Sequence, residues 1–179
     1  MPNHHILYAG IYIIMMTLHL GTKKKSKKTS QNISREQRII LTYGTHTVES
    51  LGYHDTGNLL RDPYNHNPVV ILDSEILKNW MTQDAYHIFE TYRKTGEFNY
   101  LAFAHVSSIK MYPIPYQTIG SDALLMPAFC LSSLQYADTG TIYHHVTAGI
   151  SRYSFIHGAN HHILLHESLK PIREENSND

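Results

Sequence analysis

The stretch that decides the fold is Arg38-Ile39-Ile40-Leu41-Thr42-Tyr43-Gly44-Thr45-His46-Thr47-Val48-Glu49-Ser50-Leu51-Gly52-Tyr53-His54-Asp55-Thr56-Gly57. Residues 39–43 are β-branched, aromatic or leucine, which predicts a strand, and Gly44-Thr45 marks a turn. Residues 47–53 then return as a second strand. A hairpin therefore runs straight into Asp55-Thr56-Gly57. A carboxylate on a tight turn can activate a water against a peptide carbonyl. Two such carboxylates about 3 Å apart cannot both ionise, so the pair shares one proton and divides the base and acid roles. Thr56 can lock the turn with its hydroxyl, and Gly57 permits close backbone approach and dihedrals that a side chain would forbid. Asp55 is accordingly the candidate catalytic residue. The tripeptide alone is weak support, because Asp-Gly-like turns are common.

The chain itself makes that point. Asp138-Thr139-Gly140 is a second copy. A two-lobed enzyme would place its second carboxylate there. The flanks differ, however: Asn58-Leu59-Leu60 against Thr141-Ile142-Tyr143. The 83 residues from Asp55 to Asp138 are also too few for two complete lobes. Asp138 is read as a hairpin turn.

Working outward, Pro68-Val69-Val70-Ile71-Leu72 predicts a short, fully apolar strand. Asp73-Ser74 is a cap for a helix from about Glu75 to Arg93, ending near Gly96, with Ile76, Leu77, Trp80, Met81 and Ile88 on one face. Further strands are expected near 100–106, 109–112, 124–131, 134–137 and 141–147. At the amino end, Ile6 to Leu20 is an apolar run, marginal for a membrane span, followed by Lys23-Lys24-Lys25-Ser26-Lys27-Lys28. That order of charge places the following residues on the cytoplasmic side of a cell membrane and argues against a secretory signal. The division expected is residues 1–22 as an apolar membrane-associated segment, 23–37 as a basic polar linker, 38–171 as the main domain and 172–179 as a disordered tail. The fold class is mainly β with one or two helices.

Composition narrows function. Lys+Arg and Asp+Glu are 15 each, so charge gives no reason to expect a nucleic-acid partner. The single cysteine, Cys130, excludes an internal disulfide and a cysteine-based zinc site, and it is expected to be buried. His157, His161, His162 and His166 include two i, i+4 pairs, but Gly158 and Asn160 weaken a helix there and no H-E-x-x-H pattern is present. No metal and no cofactor is expected. Tyr116, in a proline-flanked stretch ending at Gly120, belongs either to a flap over the substrate or to a rigid core strand.

From Asp55 onward the chain resembles a known family. Asp55-Thr56-Gly57-Asn58-Leu59-Leu60-Arg61-Asp62-Pro63, followed by Pro68-Val69-Val70-Ile71, is similar to a segment of the sporulation sigma-E factor-processing peptidases of endospore-forming bacteria. Ile114-Pro115-Tyr116-Gln117-Thr118-Ile119-Gly120, Gly149-Ile150-Ser151 and Leu164-Leu165-His166-Glu167-Ser168-Leu169 resemble further family stretches in the family's order. The resemblance implies a retropepsin-like, single-lobed aspartic protease barrel completed by homodimerisation, with one catalytic aspartate, Asp55, per subunit. It also implies action at a membrane on the pro-sequence of a sporulation sigma factor, with an activating membrane protein as a further partner. The chain departs from the family at Tyr53-His54, where two apolar residues are usual, at Gln117 in place of an arginine and at Glu167 in place of a proline. A histidine beside the dyad could pair with a carboxylate. Two readings follow: an aspartic endopeptidase, or a catalytically inactive retropepsin-like module that dimerises or holds a protein partner.

Overall fold

The computed structural model describes residues 35–117, 124–155 and 161–172, with the backbone alone at 161. The apolar run and lysine block before residue 35, Thr118–Gly120, His157 and the tail after residue 172 lie outside the described residues. All that follows belongs to the compact unit Ser34–Asp179.

Strands β1 (Glu36–Tyr43) and β2 (His46–His54) form the expected hairpin, with Glu36 opposite Tyr53 and Tyr43 opposite His46. Gly44 takes φ +56°, the backbone twist that a two-residue hairpin loop requires. Next comes β3 (Val69–Asp73). Its Val70 and Leu72 face one core cluster while Val69 faces another, so the strand is covered on both sides. That is why its sequence is a continuous apolar run rather than an alternation.

The expected helix from Glu75 to Arg93 is two elements. Ser74–Trp80 is a 3-10 helix, capped by Asp73, whose carboxylate accepts from Glu75 N–H at 3.1 Å. Met81 is extended, and helix α1 (Gln83–Thr95) begins at a new cap, Thr82, whose hydroxyl accepts from Ala85 N–H at 3.2 Å. Thr82 is an N-cap residue type, and that signal outranks the periodicity running through it. The apolar face holds across the break: Ile76, Leu77 and Trp80 are buried, and Met81 and Ile88 pack against the same cluster. Gly96 ends α1 in the left-handed region at φ +83°.

The strand expected at 100–106 is instead helix α2 (Tyr100–Val106). Asn99 caps it by accepting from Ala102 N–H at 3.0 Å. Two alanines favour the helix, and a short apolar run does not separate helix from strand by pattern alone.

The remaining strands are β4 (Tyr112–Tyr116), β5 (Leu124–Cys130), β6 (Ser133–Tyr136), β7 (Ile142–His144), β8 (Thr147–Ser151) and β9 (His161–Leu165). β4 lies later than the 109–112 expected and contains two prolines. The strand expected at 141–147 breaks at His145, which takes φ +57°, so its two parts separate, β7 at one edge of the sheet and β8 between β5 and β3.

The described strands form one sheet in the order β4-β5-β8-β3-β9-β2-β1-β6-β7. The architecture is mainly β, as expected. Among the described residues β4 and β7 stay at opposite ends, so the sheet is not closed. β4 tolerates its prolines because it is an edge. Pro113 faces Pro127 across the ladder, and neither has an N–H, so this pairing is non-hydrogen-bonded and both outward positions, 113 and 115, point away from β5. The outward carbonyl of Pro113 accepts from the Tyr64 hydroxyl at 3.3 Å.

The functional placement comes from the middle of the sheet. β2 and β3 are consecutive in the chain, yet β9 sits between them, parallel to β2 and antiparallel to β3. The connection 55–68 must therefore cross over the end of β9. The 3-10 helix, α1 and α2 cover one face of the sheet, with Phe89, Tyr92 and Phe103 packed in one cluster with Ile39, Leu41, Val70 and Phe129. The smaller cluster of Val69, Ile114, Met126 and Ala128 lies toward the connection, with Leu60 and Ile71 packed on it.

Candidate active site

Asp55 is the first residue past β2, half-buried, with Thr56 and Gly57 exposed beside it. Its Oδ1 accepts from Gly57 N–H at 2.9 Å, and its carbonyl accepts from Asn58 N–H at 3.0 Å. The carboxylate itself thus locks the turn. The hydroxyl of Thr56, expected to do so, makes no hydrogen bond among the described residues. Gly57 is needed for space rather than for dihedrals. A Cβ there would stand 3.2 Å from Asp55 Oδ1, and its φ is not in the left-handed region.

Asn58 fastens this turn to the sheet. It is buried, and its amide donates to Val69 O on β3 at 2.9 Å and more loosely to Leu164 O on β9 at 3.5 Å. Its Oδ1 accepts from Leu60 N–H at 3.3 Å, and its carbonyl accepts from Glu167 N–H at 3.1 Å. A short amide side chain at the crossover reaches both strands that the loop must span. Asp62 does the same for the far half of the loop. It is fully buried, and it accepts from Tyr112 hydroxyl at 2.6 Å, Thr147 hydroxyl at 2.8 Å and Tyr64 N–H at 2.9 Å. Burial alone would raise its pKa, but the hydrogen bonds from Tyr112, Tyr64, Thr147 and Asn65 outweigh that and hold it below the ordinary carboxylate range.

The carboxyl-terminal turn braces the loop from the other side. His166 is buried, and its Nδ1 accepts from Ser168 N–H at 3.0 Å and from Ser168 hydroxyl at 2.8 Å. Burial pushes its pKa down, so the ring is held neutral. The run that carries His162 is strand β9, so the i, i+4 spacing read as a helical ligand pattern has no helix to act on.

Among the described residues His54 does not pair with a carboxylate. Its ring stacks on Tyr136 with centroids 6.0 Å apart, and its Nε2 lies 3.1 Å from the Tyr136 hydroxyl. That hydroxyl donates its only hydrogen to Leu169 O. It must therefore accept from His54, which fixes the Nε2–H form of the ring. Burial, with Lys170 nearby, lowers the His54 pKa. A base whose folded pKa is lowered loses stability as pH falls from the unfolded value of 6.5, because the unfolded chain takes the proton more readily. His54→Phe, which keeps the stacked ring, is expected to flatten the loss of Tm between pH 7.5 and 5.5. Thermal unfolding of both proteins at the two pH values checks this; an unchanged slope would remove His54 as its source.

Asp55 opens onto a cleft of about 790 Å³. Ile71 and Leu164 line it from the sheet, Tyr116 and Gln117 from the end of β4, Leu124 and Met126 from β5, and residues 151–155 from the segment after β8. Asp55 is the single acidic residue lining it among the described residues. Asp138 is elsewhere, in the turn between β6 and β7, where Gly140 takes φ +70° and Gly140 N–H donates to Tyr136 O. Arg38 holds the Asp138 carboxylate at 2.9 Å. Its reading as a hairpin turn agrees with that geometry. Cys130 is half-buried rather than fully buried, and burial raises its thiol pKa.

Sequence reasoning missed Arg152. Its Nε donates to Arg93 O at 3.1 Å and its Nη2 to Lys94 O at 3.0 Å, capping the end of α1. A Cβ on Gly96 would stand 2.9 Å from Arg152 Nη1, so that glycine serves both the left-handed turn and this contact. The polar residues following the apolar strand that ends at Ser151 were the available signal.

The domain is mainly β and presents Asp55 on a pinned turn beside a cleft. The chain belongs to the peptidase family U4, sporulation factor SpoIIGA, whose model matches residues 3–169. It is thus a protease related to sporulation-factor processing. No curated protein and no solved structure matches the chain. Among the described residues, no helix is long and apolar enough to cross a membrane.

Proposed function

We propose that the chain is an aspartic endopeptidase in which Asp55 from each of two copies forms the dyad, and that its substrate is the pro-sequence of a sporulation sigma factor. The observation that carries this is the lone carboxylate in the cleft. Peptide hydrolysis by carboxylates needs one base and one acid. A single Asp55 supplies half of that set, and Asp138 is engaged by Arg38 elsewhere. Exposure of Thr56 and Gly57 leaves the turn open to a second copy, which would complete a single-lobed, retropepsin-like barrel. Family membership supports the proposed substrate and site of action, at a membrane with the protease domain on its cytoplasmic side and under an activating membrane protein. Sedimentation across a concentration series tests the dimer: a monomer at every concentration at which the precursor is cut would sink the two-copy dyad.

Tyr116, the last residue of β4, lines the cleft, which supports the flap reading over that of a rigid core strand. Closure over the reacting groups excludes water. Tyr116→Ala is expected to lower kcat/KM by about tenfold or more, with a stability loss near 1 kcal/mol. Comparing cleavage with urea unfolding checks this, and a stability loss large enough to account for the activity loss would return Tyr116 to the core. The second reading, an inactive module that binds a protein in the same cleft, rests on the single carboxylate there among the described residues.

A further inference from the structure

The cleft at Asp55 has a neighbour. A second cavity of about 500 Å³ is lined by Glu90, Arg93, Lys94, Arg152, Tyr153 and Ser154. Arg152, Tyr153 and Ser154 also line the first cleft, so the two share one wall. A polypeptide too long for the first would continue into the second along that wall.

The charges in the second cavity are unequal. Arg93 is engaged by Glu75 and Glu90, each at 3.5 Å, and by Ser154 hydroxyl at 2.8 Å. Arg152 spends two of its donor nitrogens on backbone carbonyls, which hold it in place without cancelling its charge. Lys94 is exposed, and among the described residues its ammonium has no carboxylate partner. Arg93, Lys94 and Arg152 carry three positive charges against the two carboxylates of Glu75 and Glu90, so one positive charge is left over. The partial negative charge at the end of α1, about half an elementary charge, offsets only part of it. Tyr153, two-thirds exposed, lies against the Arg152 guanidinium at 5.3 Å and offers an apolar surface at the junction.

We propose that this second cavity is a specificity subsite for an acidic segment of the polypeptide substrate, with Lys94 and Arg152 reading carboxylates on one side of the scissile bond. The inference rests on the reading of the Asp55 cleft as the place of cleavage. Charge recognition at an exposed groove is modest per contact and fades with salt. Its contribution is selection among substrates rather than chemistry.

The test uses the full chain and a mixed-sequence peptide library, with cut sites read by mass spectrometry. Wild type is expected to enrich Asp and Glu on one side of the cut, by about two- to fivefold per acidic residue. In Lys94→Glu that acidic-over-neutral ratio is expected to vanish or reverse, and in Lys94→Met to fall part of the way. Cutting without acidic enrichment, or enrichment unchanged in Lys94→Glu, overturns the proposal. A second arm measures anisotropy of fluorescein-labelled hexaglutamate at low salt, with hexaglutamine as control. Hexaglutamate binding that weakens severalfold in Lys94→Glu supports the subsite even if no peptide is cut, and in that case the cleavage reading fails alone. No preference for hexaglutamate together with no cutting removes both.

Discussion

Asp55→Ala is expected to abolish cleavage of the sigma-factor precursor, with a loss of at least about 10³-fold in kcat/KM. A positioned acid or base contributes about 10²–10⁴-fold, and in the two-copy arrangement this substitution removes both. Folding should be nearly untouched. Asp55 is half-buried, and among the described residues its side chain accepts one hydrogen bond, from Gly57 N–H. Loss of such a bond costs about 1 kcal/mol. Asp55→Asn keeps an acceptor for that N–H and separates the chemical loss from the structural one. A mixing experiment sharpens the test. If copies exchange freely, equal amounts of wild type and Asp55→Ala leave wild-type pairs as about a quarter of all dimers. Activity should therefore fall to about half of that given by the same wild type alone. Cleavage that survives Asp55→Ala would falsify the catalytic assignment. Activity unmoved by mixing would leave Asp55 in place and remove the shared dyad.

The second large effect is on stability. Asp62→Ala is expected to destabilise the fold by about 2–4 kcal/mol, the cost of leaving its neutral donors without an acceptor. The carboxylate is fully buried and collects Tyr112, Thr147 and Tyr64. Its removal leaves a half-buried phenol and a buried hydroxyl without their shared acceptor, although those two lie 3.4 Å apart and can partly satisfy each other. The sign of the pH dependence follows. The folded pKa lies below the unfolded value of 3.8. The contribution is thus fully present above about pH 4 and fades as pH falls through the lower folded value, because the unfolded chain binds the proton first. Urea unfolding of wild type and Asp62→Ala at pH 7 and pH 3 checks both parts. A difference under about 1 kcal/mol at pH 7 would show that the network is dispensable.

Local features were legible in the sequence where local chemistry decides them. The β1–β2 hairpin, the apolar β3, Gly44 and Gly96 at their turns and the turn at Asp138 all follow from residue type. The misreadings have a common source. Thr82 and Asn99 begin helices by capping, and both were overridden in the reading by apolar runs beside them. Long-range order was not legible. Nothing near residue 55 announces that β9, more than a hundred residues later, inserts between β2 and β3. That insertion is what gives Asn58 two strands to hold and makes the turn rigid. His54 shows the same limit. Beside Asp55 in sequence, it points instead to Tyr136, whose position only the assembled sheet supplies. Arg152 was equally hidden, because its partners are the carbonyls of a helix some sixty residues earlier.

The prolines of β4 have a bearing on traffic across the molecule. A sheet grows by exchanging N–H and C=O groups with an incoming strand. At positions 113 and 115 the outer side of the hairpin has no N–H to exchange, and Tyr64 occupies one of its carbonyls. At the other end of the sheet β7 is only three residues long. Among the described residues, neither rim of the sheet thus gives an extended peptide a long ladder to join as a tenth strand. Under the proposed function, the place left for such a peptide is the cleft that Tyr116 and Asp55 share.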